Sequence, residues 1–400
     1  MKRGLLIFLL MVALCPTAGA QQRHLRRVPR LGFARLERNV LQFPGGKSPE
    51  FELFLRKLDT LVVTGRGDVR ILHMGGSHVQ GGNWSGELRR NFLSMRYGMD
   101  GGRGLVFPFA AAATNTPSTY RSSYTGEWSW SRCLKPEAVL GLTGMSVSTQ
   151  DTTATVTIDL QETERRPWQA RFSFRSVDVL GYGELEPVLL MDKDTLRTRG
   201  KSGVWHFELP HYTDFVRVGF LGFPGSFTLQ GLYLDRPGGG FTLSEAGVNG
   251  AATASWLRCE DLSRDLTLVK PDLVIFSIGI NDIQGPDFDR SYFVGNYRRL
   301  VEKVRAVNPQ CAILFTVNND SWYHRAPNRH TETVEQAFLE LSARYKAALW
   351  DLYDIMGGHG SMQEWTAAGL AQGDKIHFTP DGYRLLGDLL FNAILQAWEP

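Results

Sequence analysis

The chain has 400 residues, 43% hydrophobic and 21% charged, the composition of a globular protein long enough for more than one core. A formal charge of +3, with no basic helix face, no zinc-ligand spacing and no aromatic RNA-binding strand motif, argues against a nucleic-acid partner. No later segment reaches the ~18 uninterrupted apolar residues that crossing a bilayer requires, so no transmembrane segment is expected.

Residues 1–22 read as a secretory signal peptide. Lys2 and Arg3 precede the apolar run 5–14, and Ala18-Gly19-Ala20 offers a small-x-small cleavage site. Bulky Leu14 argues against lipidation at Cys15. Export implies a secreted protein, periplasmic or associated with the cell envelope. Residues 23–44 form a basic leader, with six arginines between Arg23 and Arg38 against the single Glu37. It reads as a flexible, solvated stretch or, alternatively, as a weak tether to anionic surfaces.

Ser48 and Pro49 mark the start of a helix over 48–61, with Phe51, Phe54, Leu55 and Leu58 at helical spacing. Residues 69–74 form a short buried strand ended by Gly75-Gly76, and 84–97 continue as a helix. From about 120 the texture changes. Runs at 154–160, 169–175, 188–191, 204–209, 215–220 and 227–234 alternate with period two, the spacing of a jelly-roll-like β-sandwich. After 250, strands (273–278, 313–317, 349–352) alternate with helices (about 297–308, 334–345 and one opened by Pro380). Such alternation implies a parallel sheet flanked by helices. The expected organisation is one α/β domain, 45–118 plus 245–400, interrupted by an all-β insert over 119–244. Of the three cysteines after the signal, Cys311 reads as a core thiol, whereas Cys133 and Cys259 flank the insert and are a candidate disulfide.

Three strings carry the chemistry: Gly75-Gly76-Ser77-His78, Gly279-Ile280-Asn281-Asp282 and Asp374-Lys375-Ile376-His377. In open parallel sheets ligands bind beyond the carboxyl ends of the strands. Ser77 and Asn281 each follow a strand and therefore share a rim. A serine on a sharp glycine turn is a candidate nucleophile, or a structural turn residue. Asn281 reads as a cap or as an oxyanion donor, and the N–H of Gly250 as a third donor beside that of Ser77 itself. Asp374 and His377, three apart before the last helix, suit a carboxylate that orients an imidazole base. His78 reads as a loop residue beside the nucleophile and His73 as a core histidine. The histidine spacing implies no metal. Trp128, Trp130, Trp168 and Trp205 pack in the insert or stack on sugars, with Trp128 and Trp130 the better surface candidates.

These strings resemble the SGNH (GDSL-type) hydrolase family, whose four blocks contribute serine, glycine, asparagine and histidine. Ser77, Gly250, Asn281 and His377 match those positions, and Asp374 matches the third triad member. Gly98–Pro108, Gly247–Ala251 and Lys270–Val274 are similar to segments of bacterial peptidoglycan O-acetylesterases, which carry a carbohydrate-binding-module-like β-sandwich insert. One departure is Gly76, where the family usually has an aspartate that helps hold the loop. The resemblance implies the SGNH-hydrolase-like fold, a catalytic set of Ser77, Asp374 and His377, an oxyanion hole of Ser77, Gly250 and Asn281, and no cofactor. It implies removal of O-acetyl groups from an acetylated polysaccharide, peptidoglycan foremost. The rival readings are a lipase or arylesterase of the same fold and a glycan-binding protein with a decayed site.

Overall fold

The computed structural model describes residues 25–160, 173–222 and 224–398. The signal-peptide reading of 1–22, Cys15 and Trp168 fall outside them. A six-stranded sheet runs in the order Leu41–Gln42, Ala348–Trp350, Ala312–Thr316, Leu273–Ser277, Asp68–Gly75 and Gly240–Gly247. All neighbours are parallel except the edge strand Leu41–Gln42, which pairs antiparallel with Ala348–Trp350.

Successive side chains of a strand face opposite sides, and the core divides accordingly. Ile71, Leu273, Ile275 and Leu314 pack with helices Pro49–Thr64, Asn83–Leu93 and Pro380–Trp398. Leu72, Val274, Phe276 and Phe315 pack with Leu262–Val269, Arg290–Val307 and Thr331–Tyr345. Both faces are covered, which is why these strands read as continuous apolar runs. Each fully buried side chain of this kind contributes about 1.5–3 kcal/mol.

Two antiparallel sheets interrupt this unit. One runs Thr195–Leu196, Glu186–Leu190, Phe215–Leu221, Thr155–Asp159, Arg121–Thr125. The other runs Val204–Thr213, Phe174–Gly183, Phe227–Asp235, Met145–Thr149, Ser129–Arg132, with Gly104–Val106 also pairing with Phe227–Asp235. Period-two alternation points Val156, Ile158, Val216 and Val218 inward. Their core is continuous with one face of the parallel sheet.

Several expectations are altered by this packing. The parallel sheet resumes at Gly240 rather than 245, and Gly104–Val106 joins a sheet of the insert although it precedes 119. Residues 25–44 are not a free leader. The Arg26 N–H donates to Asn392 Oδ1 at 2.7 Å, Arg35 and Arg38 pair with Asp354, and Leu41 lies in register with Trp350. Arg35 and Arg38 thus share one carboxylate on the α/β unit. Cys133 and Cys259 are buried free thiols, not a disulfide; a hydrogen bond between them and burial raise the Cys259 thiol. Trp128 packs against Phe220 and donates to the Thr125 carbonyl, leaving Trp130, 47% exposed, as the surface tryptophan of that pair. Among the described residues no helix is long and apolar enough to cross a membrane.

Candidate active site

The register of the sheet decides what can meet. Gly75, the last residue of its strand, is paired with Gly247 on one side and Ser277 on the other. Three adjacent strands therefore end at one level, and the segments leaving them carry Ser77, Gly250 and Asn281 to one rim. Ser77 opens a single helical turn, Ser77–Gln80, that begins at Gly76.

The loop 372–379 brings the fourth group. Asn319, just past the strand Ala312–Thr316, donates from Nδ2 to the Ile376 carbonyl at 3.1 Å, and the Trp322 N–H donates to the Lys375 carbonyl at 3.0 Å. On that loop Asp374 Oδ1 accepts the N–H groups of Ile376 and His377 at 2.9 and 3.0 Å. Its Oδ2 lies 2.7 Å from His377 Nδ1, and His377 Nε2 lies 2.7 Å from Ser77 Oγ. Partial burial would raise the Asp374 carboxyl, but hydrogen bonds from the His377 backbone and ring and from Ile376 hold it below the usual range. It therefore stays a carboxylate, fixes a proton on Nδ1 and leaves Nε2 free to accept one.

Asn281 lies in the turn Ile280–Asp282, and its Nδ2 donates one hydrogen to the Ala251 carbonyl at 3.0 Å. An amide carries two such hydrogens, so one remains. Gly250 has φ +79°, a left-handed conformation that suits glycine. The N–H groups of Ser77 and Gly250 have no acceptor among the described residues. A Cβ on Gly76 would stand 3.1 Å from Asn281 Nδ2, so this position leaves room for the amide.

Other groups fix the rim. Gln80 accepts the Asn249 N–H at 2.7 Å and donates to Thr114 and Asn115, clamping the Ser77 turn to the Gly250 loop and to the start of the insert. Asp282 accepts the Thr253 N–H and hydroxyl, tying the Asn281 turn to the same loop. Burial pushes the Asp282 carboxyl up to about 6 despite those bonds. Sequence reasoning missed Gln80 as a clamp; its only signal is its place three residues after Ser77. His78 Nδ1 meets the Tyr383 hydroxyl at 2.6 Å, and its ring lies 5.2 Å from that of His377. Burial, reinforced by the nearby His377, lowers its pKa to about 3. His73 is buried between the Ser85 and Ser277 hydroxyls, each at 2.8 Å. No group of three or more His, Cys, Asp or Glu side chains suited to a metal ion occurs among the described residues.

Residues 222–385 match the sequence model of the GDSL-like lipase/acylhydrolase family. No curated protein sequence matches the chain. Among solved structures, a peptidoglycan O-acetylesterase superposes over 90% of this chain and 99% of its own, at 22% identity and a TM-score of 0.71. A lipase/acylhydrolase from Enterococcus faecalis covers 40% of this chain and 77% of its own (21% identity, TM-score 0.32). An acetyl xylan esterase covers 38% and 81% respectively (19% identity, TM-score 0.32). The long match shows a shared fold, insert included. With the match of residues 222–385 to an acylhydrolase family, the fold supports a serine ester hydrolase similar to the SGNH (GDSL-type) enzymes.

Proposed function

We propose that this protein is exported and removes O-acetyl groups from a polysaccharide, peptidoglycan foremost, through an acetyl-serine intermediate. The observation that carries the reading is the chain of two 2.7 Å contacts from Ser77 Oγ through the His377 ring to Asp374 Oδ2.

In this reading Ser77 Oγ attacks the acetyl carbonyl while His377 Nε2 takes the hydroxyl proton. Asp374 holds the ring and offsets the charge it gains. The oxyanion rests on the N–H groups of Ser77 and Gly250 and on the second Asn281 hydrogen. The C–O bond to the sugar breaks, and His377 returns the proton to the departing sugar oxygen. Water then gives its proton to His377 and attacks the acetyl-enzyme; acetate leaves, and Ser77 recovers its hydrogen. Polysaccharide as substrate is supported by the signal-like sequence of residues 1–22, because an exported esterase meets polymers, and by the β-sandwich rooted beside Gln80.

Acetate release from O-acetylated peptidoglycan and from acetylated xylan tests the assignment. Wild type is expected to prefer the first, and Ser77→Ala to lose turnover by roughly 10⁶-fold, the scale of removing a nucleophile. Unchanged turnover in Ser77→Ala removes the nucleophile; faster cleavage of octanoyl than acetyl aryl esters removes the acetylesterase assignment.

A further inference from the structure

Between the loop that carries Asn281 and the loop that carries His377 stands a small hairpin, Trp322–Tyr323 paired with Ala326–Pro327. Its base is held by both loops. The Trp322 N–H donates to the Lys375 carbonyl at 3.0 Å, two residues from His377. Asn328 Nδ2 donates to the Ile283 carbonyl at 2.8 Å, two residues from Asn281, while the Asn328 N–H closes the hairpin on the Ser321 carbonyl at 2.7 Å. The hairpin is thereby tethered both to the His377 loop and to the segment that follows Asn281.

Its chemistry is specific. Residues 322–330 contain Arg325, Arg329, His324 and His330 and no acidic residue. Lys375 adds an ammonium 3.5 Å from the centroid of the Trp322 ring. His324 and Arg325 at the tip are exposed; His324 takes φ +57° and lies against Tyr323, ring centroids 4.1 Å apart. Among the described residues neither Arg325, Arg329 nor Lys375 forms an ion pair, although arginines elsewhere on this protein pair widely with carboxylates. The hairpin therefore presents cations without carboxylate partners, one of them, Lys375, on an aromatic face.

We propose that this hairpin and Lys375 form a subsite for a carboxylate-bearing sugar or peptide unit beside the acetylated one, with Arg325 and Lys375 taking the carboxylate and the Tyr323–His324 face packing on the neighbouring ring. The inference rests on the polysaccharide reading above and narrows it to anionic O-acetylated glycans. Lys375 does double duty: its backbone carbonyl accepts the Trp322 N–H, and its ammonium lies over the Trp322 ring of the hairpin.

The test compares kcat/KM for acetate release from O-acetylated peptidoglycan fragments with free peptide carboxylates and from neutral acetylated xylo-oligosaccharides. Wild type, Arg325→Gln and Arg325→Gln/Lys375→Gln are measured with and without added salt. The anionic-over-neutral ratio is expected to fall roughly tenfold per charge removed, mainly through KM, the scale of one lost charge-assisted contact. Salt is expected to lower the wild-type ratio and to affect the double variant far less. Equal losses on both substrates mean that the hairpin only supports the His377 loop, and an unchanged ratio means that the carboxylate does not lie there; either overturns the subsite while the peptidoglycan reading stands. A wild type that prefers the neutral xylan overturns both.

Discussion

The Ser77 turn and the Asp374–His377 loop each carry a histidine, their rings 5.2 Å apart, under opposite conditions. His78 is sealed in, bonded to the Tyr383 hydroxyl and packed against Phe378 and Tyr383. His377 is half-buried, lies on a loop open to solvent and has a carboxylate on its Nδ1. A base in acyl transfer must gain and lose a full charge in each cycle. Burial makes that charge expensive at His78, which stays neutral, whereas His377 has the Asp374 carboxylate 2.7 Å from its Nδ1. Residue type is the same at both positions, but His377 meets the Ser77 hydroxyl and a carboxylate whereas His78 meets the Tyr383 hydroxyl, so partners and burial set the two apart.

The strongest way to break this comparison is to replace each ring by an amide. His377→Gln is expected to lower kcat by about 10⁴ to 10⁶, as loss of a base from a catalytic set does. His78→Gln removes a packed ring and its bond to Tyr383, so its cost falls mainly on stability, about 1–3 kcal/mol by thermal unfolding. Equal losses of kcat in the two variants sink the distinction. A smaller effect sharpens the account of the Ser77 turn. Gly76→Asp introduces the carboxylate usual in the SGNH (GDSL-type) pattern that this turn resembles, yet its Cβ would crowd Asn281 Nδ2, and its oxygens would compete for that amide's free hydrogen. Turnover should drop roughly 10- to 100-fold with little change in KM, short of the ~10²–10³ for losing an oxyanion donor outright. Unchanged or faster turnover means that the amide has room to shift and that Gly76 is not what keeps it available.

Much of this site was legible because its parts obey local rules. Glycines before Ser77, apolar runs before Ser77 and Asn281, and the Asp374/His377 spacing on a turn are each written within a few residues. The sheet then aligns the strand ends at Gly75, Gly247 and Ser277. What the sequence hid depends on distant partners. Nothing near Arg26 announces Asn392, and nothing near Leu41 announces Trp350, so an arginine-rich stretch with a solvated appearance is in fact an edge strand and a set of ion pairs. The strand Gly240–Gly247 went unread for a related reason. It follows glycines and carries Thr242 and Ser244, which look exposed but are buried, and Glu245, whose side chain is only 6% exposed. Two guanidiniums, Arg89 and Arg103, reach Glu245 from elsewhere in the chain and hold it ionised against its own desolvation. Local polarity misleads wherever the compensating charge is remote.

The finest test uses proton linkage at the two loops that frame Ser77. His78 is held to about 3 by burial first and by His377 second, whereas an unfolded histidine titrates near 6.5. Below that value the unfolded chain binds a proton that the native site refuses, so the stability from neutral His78 is complete above about pH 6.5 and drains away toward 3. Asp282 has the reverse sign. Burial raises it to about 6 from an ordinary 3.8, so between those values the native state holds the extra proton and stability grows as pH falls. Each acts at up to about 1.4 kcal/mol per pH unit inside its window. Measured against wild type by thermal unfolding from pH 7 to pH 4, His78→Gln should therefore become relatively more stable as acid is added. Asp282→Asn, which keeps an acceptor for Thr253 but cannot take the proton, should become relatively less stable over the same range. If both gaps move in one direction, the neutral histidine behind the nucleophile and the protonating carboxyl behind Asn281 are not the opposed pair that their burial and hydrogen bonds describe.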